Sequence, residues 1–230
     1  MDMTTYSIKS FFFVLLLLAS SLILQGQETF MGYWEPEIGI SYKVAPLYSH
    51  KFSIEKRTLW FEDKTVFDVE QIDVSHFSNY KLLDNQSIAL GLMYRFESLF
   101  SDERDEFRLT EQYNLTTTHI NYRLGHRIRA EQQFSGTPIN HRFRYRLTID
   151  FPLQGTKLDV GETFFISSIE NLLTVAKTQK PEYDQRYSIS LGLLLNKKLT
   201  LTNGLEYRLE NYSNQAAHSL FLLSSLNIDL

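Results

Sequence analysis

Stretches of ten or more residues in which apolar and polar side chains alternate one by one run from about Tyr33 to Leu230, separated by short polar turns. Successive side chains of a β-strand point to opposite faces, so this pattern specifies a sheet with one apolar and one polar face. Ile88, Leu90, Leu92, Tyr94 and Phe96 alternate with Ala89, Gly91, Met93, Arg95 and Glu97. His141, Phe143, Tyr145, Leu147, Ile149 and Phe151 share one phase against Asn140, Arg142, Arg144, Arg146, Thr148 and Asp150. The last segment puts His218, Leu220, Leu222, Ser224, Leu226, Ile228 and Leu230 in one phase. Further segments lie at about 36–45, 48–58, 66–81, 106–116, 119–134, 157–167, 184–196 and 198–210, which makes eleven. A single-chain bacterial barrel normally has an even strand count. The expectation is therefore ten to twelve strands, with one segment missed or split before residue 80. Helical spacing has one candidate, Ile169–Lys177, in the longest connection between strands, so at most one short helix is expected.

Alternation shows that one face is buried, but not whether it meets a protein core or lipid. Segment length favours lipid: strands of soluble domains run to about 5–6 residues, whereas a tilted strand needs about 9–11 to cross the hydrocarbon. The polar phase points the same way. Ten of the twelve arginines (Arg95, Arg108, Arg123, Arg127, Arg129, Arg142, Arg144, Arg146, Arg186 and Arg208) occupy it, while Lys64, Lys81, Lys157, Lys177, Lys180, Lys197 and Lys198 lie in or beside turns. A planar guanidinium suits an enclosed network with carboxylates, and a strongly hydrated ammonium suits the water outside. The fold class expected is all-β: an antiparallel up-and-down transmembrane β-barrel of about 10–12 strands, after an N-terminal signal peptide.

The signal is read at residues 1–26. Lys9 precedes the apolar run Phe11–Leu18, followed by Ala19-Ser20-Ser21 and Leu22-Ile23-Leu24-Gln25-Gly26, with cleavage after Ser21 or after Gly26. Residues 27–230 then form one outer-membrane barrel domain. A net charge of -4 from 23 basic and 27 acidic residues gives no basic field of the kind that nucleic acid requires. The absence of cysteine removes disulfides, thiolate metal sites and thiol catalysis.

The chemistry-bearing constellation is a hairpin. If Phe134 and Ile139 close it around Ser135-Gly136-Thr137-Pro138, Glu131 faces Arg142 and Arg123 faces Asp150, giving two ion pairs. The same register sets Arg129 opposite Arg144 and Arg127 opposite Arg146. Directly opposed like charges are destabilising, so carboxylates or an anion must lie between them. Glu97, Glu206, Glu210, Asp73 and Asp159 are the inward-phase candidates, joined by Glu162 if the strand bulges at Gly161. Arg123, Arg127, Arg129, Glu131, Arg142, Arg144, Arg146 and Asp150 are thus expected to form a lumen network that binds an anion or neutralises itself.

The stretch His126-Arg127-Ile128-Arg129-Ala130-Glu131-Gln132-Gln133-Phe134, with Arg142-Phe143-Arg144-Tyr145-Arg146-Leu147 and Asp184-Gln185-Arg186-Tyr187, resembles a family of bacterial proteins catalogued as domain of unknown function 2490. Trp34 and Glu162-Thr163-Phe164-Phe165 also resemble it. The resemblance implies a β-barrel in the outer membrane of a Gram-negative bacterium, and it carries over no activity or catalytic residue.

Two function classes follow. One is a structural or binding element of the envelope, or a narrow anion-preferring pore, surrounded by outer-membrane lipid and holding small anions. The other is a hydrolase acting on lipid or lipopolysaccharide, for which His76 and Ser78 share one face of one strand. Their separation of two residues, roughly 6.5–7 Å, exceeds hydrogen-bond reach, and no nucleophile elbow or P-loop is present. The histidines are scattered over different strands, so neither a metal site nor a cofactor is expected.

Overall fold

The computed structural model describes residues 30–97, 104–177 and 179–230. The expected signal at 1–26 lies outside them. The strands are β1 (Phe30–Ala45), β2 (Tyr48–Glu62), β3 (Lys64–Leu83), β4 (Gln86–Glu97), β5 (Glu106–Thr118), β6 (Arg123–Phe134), β7 (Asn140–Pro152), β8 (Thr163–Ala176), β9 (Glu182–Asn196), β10 (Leu199–Glu210) and β11 (Ala217–Asp229). They close into one barrel in chain order.

Every neighbouring pair is antiparallel except β1 and β11, which run parallel from Phe30 opposite His218 to Ser41 opposite Asp229. The even count expected from barrels generally is therefore not met among the described residues, which hold no further strand before residue 80. The first three strands are simply longer than their alternation suggests, and Asp63 alone links β2 to β3 in a left-handed conformation (φ 53°). An odd count closes because a parallel ladder also pairs the backbone groups of both strands.

The candidate helix at Ile169–Lys177 is not formed. That stretch is most of β8, which begins at Thr163 rather than near 157. Its inward phase carries Ile166 and Leu172 beside Ser168 and Glu170, so apolar residues fall on both faces and mimic a period of three to four. Leu172 is buried inside the barrel.

The molecule is polar inside and apolar outside. Among the described residues sixteen polar or charged side chains are buried against five hydrophobic ones, the reverse of a water-soluble core. Ile38, Ile54, Leu90, Ile128, Phe143, Ile189 and Leu191 are exposed on the outer face. Exposed aromatics flank them, with Tyr42, Tyr80 and Tyr122 towards the rim where β1 ends and Phe30, Trp34, Phe107, Phe134 and Tyr183 towards the rim where β1 begins.

Candidate functional site

β6 and β7 pair in the register anticipated from their hairpin, with Arg123 opposite Asp150, Arg127 opposite Arg146, Arg129 opposite Arg144 and Glu131 opposite Arg142. What separates the opposed arginines is Glu170 of β8, which none of the anticipated partners included. Glu170 Oε1 accepts from Arg144 Nε at 2.8 Å and from Arg144 Nη2, while Oε2 accepts from Arg127 Nη2 at 2.9 Å and from Arg146 Nε. One carboxylate, 1% exposed, thus holds three guanidinium groups on two neighbouring strands.

Glu131 is the second centre. Arg144 Nη1 donates to its Oε1 at 3.0 Å, and Arg129 and Arg108 stand at 3.9 and 3.8 Å. The expected Glu131–Arg142 ion pair does not form. Arg144 reaches Glu131 along the diagonal instead, and Arg142 donates from Nε to Thr174 Oγ1 at 3.2 Å. Arg129 donates to Gln112 and lies over the ring of Phe77 at 5.3 Å. The Arg123–Asp150 pair forms at 2.8 Å, but at the rim, with the Arg123 side chain 57% exposed. It stands apart from the central network.

The carboxylates expected to neutralise the cluster serve other groups. Asp73 takes Arg95 in two hydrogen bonds of 2.8 and 2.7 Å, with Glu97 beside that arginine at 3.6 Å. Glu206 binds Arg208 at 2.6 Å, Glu210 accepts from Ser219, and Glu162 accepts from the Asp159 amide. Arg57, not assigned to the polar phase from the sequence, also faces inward and donates to Glu35 at 2.9 Å.

The result is a lumen with two unlike walls around a cavity of about 680 Å³. The β6–β9 wall contributes Arg127, Arg129, Arg142, Arg144, Arg146 and Arg186 around Glu131; the β1–β3 wall contributes Glu35, Glu37, Glu55 and Asp73 beside Lys51 and Arg57. Glu37, Glu55 and Asp73 are direct cross-strand neighbours, a row of three carboxylates. Towards the rim where β1 begins, the rings of Tyr33 and Phe221 stack at 4.7 Å and pack with Leu59, and Arg208 lies over Phe221 at 3.4 Å. Towards the other rim the lining is small and polar, with Ser53, Ser75, Asn79, Thr148, Ser190 and Thr202. Gly91 and Gly192 leave room for inward-facing rings, because a Cβ at either would fall on Phe77 or Phe164.

On the outer face His76 and Ser78 do not meet, but Ser78 Oγ lies 3.3 Å from His50 Nδ1 on the neighbouring strand. His76 Nε2 approaches that same nitrogen at 2.9 Å. A catalytic imidazole holds its nucleophile on one ring nitrogen and its orienting partner on the other. Here both contacts converge on Nδ1, and Ser78 also accepts from Tyr48 at 3.2 Å. Among the described residues no three His, Asp or Glu side chains converge as metal ligands would.

Comparison with curated proteins returns no match. Among solved structures, the chain overlays on the crystal structure of the siderophore receptor PirA from Pseudomonas aeruginosa with a TM-score of 0.30 and 12% identity. That overlay covers 77% of this chain and 35% of that one, so the chain spans about a third of the receptor's length. A family profile described as Protein of unknown function (DUF2490) matches residues 31–218. The match runs from the second residue of β1 to the second residue of β11, and the chain belongs to this family.

Proposed function

We propose that the protein is an outer-membrane β-barrel, exported by the segment 1–26, whose lumen is a one-ended binding cup rather than an open pore. The observation that carries this reading is the condition of the lumen arginines: Glu131 and Glu170 tie Arg127, Arg129, Arg144 and Arg146 into one network, and Tyr33, Leu59 and Phe221 pack beyond it. The belt of exposed apolar side chains between aromatic margins supports a lipid surround. The small polar side chains of the cup open towards the rim where β1 ends.

Planar-bilayer recordings test the closure. Wild-type protein is expected to show little or no conductance, and the Arg144→Ser/Arg146→Ser double variant to conduct, because two of the three cations gathered by Glu170 are gone. A wild-type barrel that passes chloride and loses anion preference in the double variant is instead the narrow pore, since rings of Arg select anions, and the cup would be abandoned.

The hydrolase reading has one observation in its favour, the contact between Ser78 and His50. The crowding of a single imidazole nitrogen opposes it. Purified protein given phospholipid or lipopolysaccharide should release no fatty acid above a His50→Ala control. Release that disappears in both His50→Ala and Ser78→Ala would establish the hydrolase.

A further inference from the structure

Two charged side chains of the lumen have neither a hydrogen-bond nor an ion-pair partner among the described residues. Glu55 of β2 faces the cavity with no hydrogen-bond or ion-pair partner among the described residues, and its ladder neighbours Glu37 and Asp73 are themselves acidic. Each of those neighbours has a cation of its own, Lys51 for Glu37 at 3.1 Å and Arg95 for Asp73 at 2.7 Å. Arg186 of β9 is the converse. Its Nε is buried without a partner, and its guanidinium takes part in no ion pair among the described residues. The two side chains beside it in the ladder are occupied, since Glu170 holds three other arginines and Arg208 is bound by Glu35 and Glu206.

The unpaired anion and the unpaired cation stand on different walls of one cavity, four strands apart one way around the barrel and seven the other. A simple anion would satisfy Arg186 and leave Glu55 alone; a simple cation would do the reverse. Burying an ionised group without compensation is costly, so the ligand that suits both walls carries both charges. We propose that the cup binds a small zwitterion, its anionic group on Arg186 and its ammonium on Glu55 within the row Glu37, Glu55 and Asp73. A cavity of about 680 Å³ accommodates a solute of dipeptide size. The same pair of charges occurs on a free peptide and on a phosphoethanolamine headgroup.

This inference rests on the closed-cup reading, and the two fail differently: conductance decides closure, ligand heat decides the zwitterion. Isothermal titration of the whole barrel in detergent, with Arg186→Gln and Glu55→Gln variants checked for folding by heat-modifiable migration, would compare four probes. Glycylglycine carries both charges, acetylglycine only the carboxylate, glycinamide only the ammonium, and glycerophosphoethanolamine the headgroup pair. Either zwitterion should bind saturably and roughly tenfold or more tightly than both single-charge probes, and the tighter of the two names the source. Each variant should weaken zwitterion binding by a similar factor, while Glu55→Gln leaves acetylglycine unaffected. Wild-type protein that binds neither zwitterion, or binds all probes alike, overturns the proposal without needing either variant to fold, even where the bilayer recordings remain silent.

Discussion

Glu170→Gln is expected to lower the unfolding free energy of the barrel by about 3–5 kcal/mol, the effect of removing one partner from a buried charge network. The substitution keeps the shape of the side chain and removes the charge that Arg127, Arg144 and Arg146 share. Three guanidinium groups would then face one another inside low-dielectric walls with Glu131 as their nearest counter-charge. Urea-driven unfolding from lipid vesicles measures the difference. Asp150→Asn is the control, because its pair with Arg123 sits at the rim and an exposed pair contributes about 1 kcal/mol or less. Equal stability of the Glu170 variant and wild type would show that the network is not held together by this carboxylate.

Leu147→Arg should cost about 2–4 kcal/mol if the residue lies near the bilayer midplane. Leu147 is exposed on the outer phase of β7 between Tyr145 and Ile149, while Arg146 next to it points into the lumen. Folding into vesicles, followed by heat-modifiable gel migration, should fail or slow for Leu147→Arg. Leu147→Ile should behave as wild type. A barrel that assembles equally well with arginine at 147 would place this face against water.

The strands are legible wherever one phase is predominantly apolar. β4, β7 and β11 are such cases, and β6–β7 could even be set in register because the turn Ser135–Pro138 fixes which residues face each other. Legibility failed in β8. Leu172 enters the lumen and Asn171 faces outward, so the two phases have nearly the same polarity and the period-two signal is lost. The same blur hid Glu170, the residue that reconciles the opposed arginines. Alternation offers Glu206 and Glu210 in its place, although both lie on β10, three strands from β7 and four from β6, and serve Arg208 and Ser219. Partner choice in the lumen depends on diagonal reach across a tilted sheet, as in Arg144 to Glu131, and linear alternation carries no record of it. The unpaired state of Arg186 and Glu55 was likewise beyond reach, because it depends on what every other charge has already bound.

The parallel seam between β1 and β11 has a mechanical consequence. In a barrel with an even number of strands the first and last strands begin and end at the same rim, so a force drawing the chain termini apart peels the closing ladder open one hydrogen bond at a time. Here the start of β1 and the end of β11 sit at opposite rims. Tension between them loads twelve paired positions of the seam lengthwise, from Phe30 with His218 to Ser41 with Asp229, so that the bonds yield together in shear. The barrel's one unusual junction is therefore oriented to resist stretching along the barrel axis.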